Sequence, residues 1–119
     1  TYLGYEGDPE VTANTRRFLL SEANPYYYEG TAASGIGSPH TPTSYIWHIA
    51  LAVQGMTETS KEEKYRILKL MAATDDNKGM MHEGFDKNDP SHYTREWFSW
   101  ANAMYAEMVL NYLGYGLDV

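Results

Sequence analysis

The sequence predicts an all-α fold, about four helices in antiparallel hairpins with two long loops at one end. Three observations carry that prediction. Apolar residues recur at helical spacing in four segments, and two of these open on helix-start signals, Asp8-Pro9-Glu10 and Ser60-Lys61-Glu62-Glu63. No Val/Ile/Thr alternation of strand type occurs. The 119 residues suffice for one small domain, and a hydrophobic fraction of 43% is ordinary for a globular chain.

The first helix starts at Asp8, with Pro9 at the first helical position and Glu10 in the first turn, and it should end by Asn24 because Pro25 disfavours α geometry there. Val11, Phe18 and Leu19 form its apolar stripe, while Glu10, Asn14, Arg16 and Arg17 face away. It reads as an outer helix. A long loop follows over residues 25–42. Its Ser34-Gly35-Ile36-Gly37-Ser38 stretch lacks both the Lys-Ser/Thr ending and the preceding strand of a phosphate loop. Glycines there let the backbone come close to a neighbour, with Ser38 and His40 at a rim.

Tyr45 to Val53 reads as a helix apolar nearly all round and interrupted only by His48, which demands cover on every side. His48 is either a hydrogen-bonded core residue or a group reaching into a site at the helix N-terminus. Ser60 to Glu63 is a capping box that opens a second outer helix, with Tyr65, Ile67, Leu68, Met71 and Ala72 inward. Lys61, Glu62, Arg66 and Lys69 are solvated. After the loop from Asp75 to Pro90, Thr94 caps a last helix through Leu113 that stops at Gly114. Its inner face carries Trp97, Trp100, Ala101, Met104 and Met108, widened by Phe98, Tyr105 and Tyr112. Each long loop leads from an outer to an inner helix, so antiparallel hairpins bring both to the same end.

A formal charge of −7 disfavours nucleic acid and anionic membrane surfaces as partners, because phosphates are repelled. A neutral or cationic substrate is expected. Cysteine is absent, which removes disulfides, thiolate nucleophiles and thiolate metal sites. No apolar run approaches the roughly 20 residues that span a bilayer. The start at Thr1-Tyr2-Leu3-Gly4-Tyr5, without an initiator Met or a signal pattern, predicts a chain that begins inside a longer protein. Eleven Tyr, three Trp and three Phe are suited to a wet interface or to the faces of sugar rings.

The Asp75 to Pro90 loop is the main candidate for chemistry. Met80, Met81 and Phe85 bracket His82-Glu83, pressing an ionisable pair against apolar side chains; a carboxylate so placed can act as a general acid or base. The alternative is an ordinary loop acid capping backbone. A zinc helix is excluded because the required second histidine is missing: position 86 is Asp86, and Gly84 stands where the helix should run. No metal or cofactor is expected. With no Gly-x-Ser-x-Gly elbow present, paired carboxylates remain, as glycoside cleavage requires. Glu83 is the best candidate for one of them; Asp86 and Asp89 either contact substrate or cap backbone.

The segments Asp8-Pro-Glu10, Asn14-Thr-Arg-Arg-Phe18, Asn24-Pro-Tyr-Tyr-Tyr-Glu-Gly30, Ala33-Ser-Gly-Ile-Gly-Ser-Pro-His-Thr41, Tyr45-Ile-Trp-His-Ile-Ala-Leu-Ala52, Met81-His-Glu-Gly-Phe85, Asp89-Pro90 and Thr94-Arg-Glu-Trp-Phe-Ser-Trp-Ala-Asn102, in this order, resemble the C-terminal part of glycoside hydrolase family 125. The resemblance implies a metal-independent, inverting, exo-acting α-1,6-mannosidase with an (α/α)6 toroid. This chain would be the C-terminal part of its single catalytic domain, with the upstream remainder needed for activity. It implies that Glu83 is the general base and that the general acid is an Asp upstream of Thr1. The expected partner is a mannose-containing oligosaccharide, met by Ser38, His40, Tyr45, Trp47, His48 and His82, with Tyr26, Tyr27, Tyr28 and Trp97 as further stacking candidates. His40, His48, His82 and Glu83 are expected to converge where the two loops emerge. The alternative functions are a non-catalytic sugar-binding helical module and a scaffold whose acids only cap helices.

Overall fold

A computed structural model describes residues 2–116 as α1 (Pro9–Leu19), β1 (Tyr27–Glu29), β2 (Ser34–Ile36), β3 (Tyr45–Trp47), α2 (His48–Met56), α3 (Lys61–Ala73), β4 (Gly84–Asp86), β5 (Tyr93–Thr94) and α4 (Ser99–Tyr112). The four helices are as expected in number. The all-α class is corrected to mixed α/β, because the first long loop folds into the antiparallel pair β1-β2 and the second contributes β4 to an antiparallel sheet β3-β4-β5 with residues 45–47 and 93–94. Strands of two or three residues are too short to display an alternation, and their ladder partners lie far away in sequence.

Helix α1 is capped as the sequence suggests, the Asp8 carboxylate accepting the Glu10 N–H at 2.8 Å. It stops at Leu19, short of Asn24. Asn24 is buried and caps that end instead, donating from Nδ2 to the Leu19 carbonyl at 2.9 Å and accepting the Tyr26 N–H at 3.0 Å. No residue of α1 is buried, and its stripe of Val11, Phe18 and Leu19 stays exposed. Arg16 ties the helix to the body, bonding Thr57 Oγ1 and Glu58 Oε2, each at 2.8 Å.

The segment expected to be helical from Tyr45 begins as a strand. Tyr45 and Trp47 are half-buried around a fully buried Ile46, and helical geometry starts only at His48. Every residue of α2 is then buried or half-buried, as an all-round apolar helix requires. Ser60 caps α3 by accepting the Glu63 N–H at 3.2 Å; the reciprocal half of the box is missing, since Glu63 pairs with Arg66 and Ser60 N–H turns to Glu58. Ile67, Leu68 and Met71 form the inner face of α3, whereas Tyr65 and Ala72 are exposed.

Thr94 does not cap α4. It belongs to β5, and the helix begins at Ser99 with Ala101, Met104 and Met108 inward and Trp97 and Trp100 exposed. Gly114, at φ +92°, follows the helix end in a conformation that glycine adopts without a Cβ penalty. Ile46, Leu51, Ala52, Ile67, Met71, Phe85, Ala101 and Met108 are fully enclosed and belong to one continuous core. Burying each of the larger side chains contributes about 1.5–3 kcal/mol. The core therefore spans α2, α3, α4 and the β3-β4 pair, fixing the second loop to the helices.

Candidate active site

Glu83 stands one residue before β4, the middle strand of the three-stranded sheet. β3 pairs with β4 as Tyr45↔Asp86, Ile46↔Phe85 and Trp47↔Gly84, and β4 pairs with β5 as Gly84↔Thr94 and Phe85↔Tyr93. The Glu83 N–H extends the second ladder by donating to the Thr94 carbonyl at 3.1 Å. Its backbone is thereby held between strands from two distant parts of the sequence. Met81 and Phe85 are buried on either side, while the Glu83 side chain keeps 17% of its surface open.

Three other acids of this loop are occupied with backbone. Asp75 accepts the N–H groups of Asn77 and Gly79, Asp86 those of Asn88 and Asp89, and Asp89 both the N–H and the hydroxyl of Ser91. Such caps stabilise turns and leave few lone pairs for chemistry. Glu83 instead meets one cation: its Oε2 lies 3.2 Å from Arg95 Nε. Among the described residues no bond reaches its Oε1.

Two buried histidines stand behind this carboxylate. His48 Nδ1 accepts the His82 N–H at 2.9 Å, so the network assigns the proton to Nε2, which donates to Thr74 Oγ1 at 2.9 Å. Burial, and next the neighbouring His82 ring, pushes His48 down to about 3, so it is neutral when it accepts that bond. The His82 ring faces the Glu96 carbonyl at 2.6 Å through Nδ1 and the Asp75 carbonyl at 3.1 Å through Nε2, and it stacks on Tyr93 at 3.9 Å. The Met81 backbone is clasped by α4, its N–H on Asn102 Oδ1 at 2.7 Å and its carbonyl accepting from Phe98 N–H.

The expected site residues divide into three groups. Trp47, His48, His82 and Glu83 are drawn together by the β3-β4 pairing and the histidine bonds; a Cβ on Gly84 would lie 3.2 Å from Trp47 Cδ1. Tyr45, opposite Asp86, lies at the far end of the same pairing. Ser38 and His40 are on the first loop, which reaches this sheet through Thr41, whose hydroxyl accepts Trp47 Nε1–H at 2.9 Å and bonds the Ser38 carbonyl. His40 is exposed, whereas His48 and His82 are fully buried with both ring nitrogens facing protein partners.

The two loops are in direct contact. Ala32 and Ala33 N–H donate to the Lys87 carbonyl, Thr31 N–H to Asn88 Oδ1, and Lys87 N–H to the Ser44 carbonyl. Gly30 and Gly37 make the approach possible, since a Cβ there would collide with the Lys87 and Tyr45 carbonyls. Sequence reasoning missed Arg95, Thr74 and Asn102 as partners of this site. Arg95 and Asn102 lie within the Thr94 to Asn102 motif, which was legible as a unit but not by role. The buried Thr94 hydroxyl has no partner among the described residues.

Comparison with known proteins completes the picture. A profile of the metal-independent α-mannosidases, GH125, matches residues 1–110. The meiotically up-regulated gene 157 protein of Schizosaccharomyces pombe is 41% identical over 114 residues, 94% of this chain and 22% of its own length. A solved Streptococcus pneumoniae member of a family of metal-independent α-mannosidases, in a non-productive substrate complex with α-1,6-mannobiose, superposes with a TM-score of 0.92 at 54% identity, over 95% of this chain and 27% of its own. The chain thus spans about a quarter of the length of the relatives it matches. With a profile match over nearly its whole length and a closely superposable relative, the chain belongs to the metal-independent α-mannosidase family, glycoside hydrolase family 125.

Proposed function

We propose that this chain is the C-terminal part of a single glycosidase domain that releases terminal α-1,6-linked mannose with inversion and without a metal. Glu83 is its general base. The observation that carries this reading is the state of the Glu83 carboxylate: unlike Asp75, Asp86 and Asp89 it is not spent on backbone, it is partly open, and it stands at the start of a strand paired on both sides. The α-1,6-mannobiose bound by the Streptococcus pneumoniae relative supports a mannose-containing oligosaccharide as substrate.

In an inverting mechanism the base and the acid stand about 6.5–9.5 Å apart, leaving room for a water. Glu83 takes a proton from that water as its oxygen attacks the anomeric carbon. A second carboxylic acid, from the upstream part of the protein, protonates the departing oxygen on the opposite face. Ser38, His40, Tyr45 and Trp47 surround the sugar, and His48 and His82 hold the Glu83 backbone from behind. The test uses the full-length protein. Glu83→Ala should lower kcat by orders of magnitude while affinity for the mannoside changes much less, because the lost interaction is made chiefly in the transition state. Time-resolved NMR of the wild type should show β-mannose first. Initial α-mannose, or unchanged turnover in the variant, would refute the proposal.

A further inference from the structure

Among the described residues four non-glycine positions have positive φ: Ser44, Asp76, Asn77 and Arg95. Asp76 and Asn77 occupy a turn capped by Asp75, and their residue types enter the left-handed region readily. Arg95, at φ +51°, has no such local reason. Its side chain is long, and a glycine would satisfy the same backbone without a steric penalty. The left-handed step comes directly after Thr94, whose carbonyl is bonded to Glu83 N–H, so it sets Arg95 beside Glu83. The guanidinium then meets Glu83 Oε2 through Nε at 3.2 Å and lies 5.7 Å from the centre of the Phe98 ring.

Stability does not account for this arrangement. The Arg95 side chain is 64% exposed, and an exposed ion pair contributes too little to offset a non-glycine residue in the left-handed region. What the pair does provide is orientation. A carboxylate held at one oxygen loses its freedom to rotate, and the oxygen left unbonded becomes the one that can receive a proton. Phe98, itself bonded to the Met81 carbonyl, limits the guanidinium on its other side.

We propose that Arg95 is a positioning residue for Glu83: it fixes Oε2 so that Oε1 is the oxygen presented to the attacking water. The inference rests on the base role proposed for Glu83. It predicts that Arg95→Ala in the full-length protein lowers kcat about 10- to 100-fold, the scale of a misoriented reacting group, with KM changed far less. Arg95→Lys should recover part of the loss, and added guanidinium should partly rescue Arg95→Ala. Arg95→Gly, which relieves the backbone, should lose as much kcat as Arg95→Ala while melting no lower than wild type. In a Glu83→Ala background, Arg95→Ala should produce no further loss. Wild-type kcat in Arg95→Ala, with Glu83→Ala inactive, would overturn the positioning role and leave the base intact. Unchanged turnover in Glu83→Ala would overturn both.

Discussion

Acidification from pH 7 to pH 5 is a direct perturbation of the pair behind Glu83. His48 is fully buried, accepts the His82 N–H, and has its pKa lowered from 6.5 to about 3, first by burial and then by the His82 ring. In the unfolded chain the same imidazole takes up a proton below its ordinary value, while in the folded chain it does not until near pH 3. The unfolded state therefore binds more protons across this window, and stability falls as pH falls. Because the folded group stays neutral at pH 5, the size is set by the unfolded side alone: between pH 7 and pH 5 the loss is about 2 kcal/mol. The assay is urea unfolding at the two pH values for the wild type and His48→Asn. Asn Oδ1 can take the place of Nδ1 as acceptor for the His82 N–H, so the variant keeps the bond and removes the titration. It should be less stable at pH 7, from the smaller side chain, but should lose about 2 kcal/mol less on acidification. Equal losses in the two proteins would show that His48 is not held neutral, and the tautomer assigned to it would be wrong.

Two further outcomes test the packing. Gly30→Ala sets a methyl against the Lys87 carbonyl, a backbone atom that cannot swing away, and should cost about 1–3 kcal/mol by urea unfolding; wild-type stability would mean that the two loops are not pressed together as described. The isolated 119-residue chain should self-associate, because Val11, Phe18 and Leu19 of α1 remain exposed beside an apolar groove lined by Leu20, Ile36, Ala50 and Val53. Light scattering that gives a single 13.5 kDa species with a cooperative melt would count against that expectation.

What was legible in the sequence was whatever depends on neighbours three or four residues away. Asp8 and Ser60 announced their helices because an N-cap is a local hydrogen bond. The nearly all-round apolar character of residues 45–53, interrupted only by His48, announced a buried helix, although its first three residues form a strand. Glu83 could be singled out because Met81 and Phe85 flank it within the same short stretch. Tertiary structure decided the rest. Whether Tyr45 opens a helix or a strand is settled by Asp86 across the ladder, and whether Thr94 caps a helix is settled by Gly84. Whether Asp86 and Asp89 contact substrate or cap backbone was open in the sequence; the fold turns their carboxylates back onto backbone. The same holds for Arg95, Thr74 and Asn102, whose partners lie in other elements. A hydrogen bond between distant segments leaves no period in either one, so only the folded chain shows which side chains hold the Glu83 carboxylate and which merely share its loop.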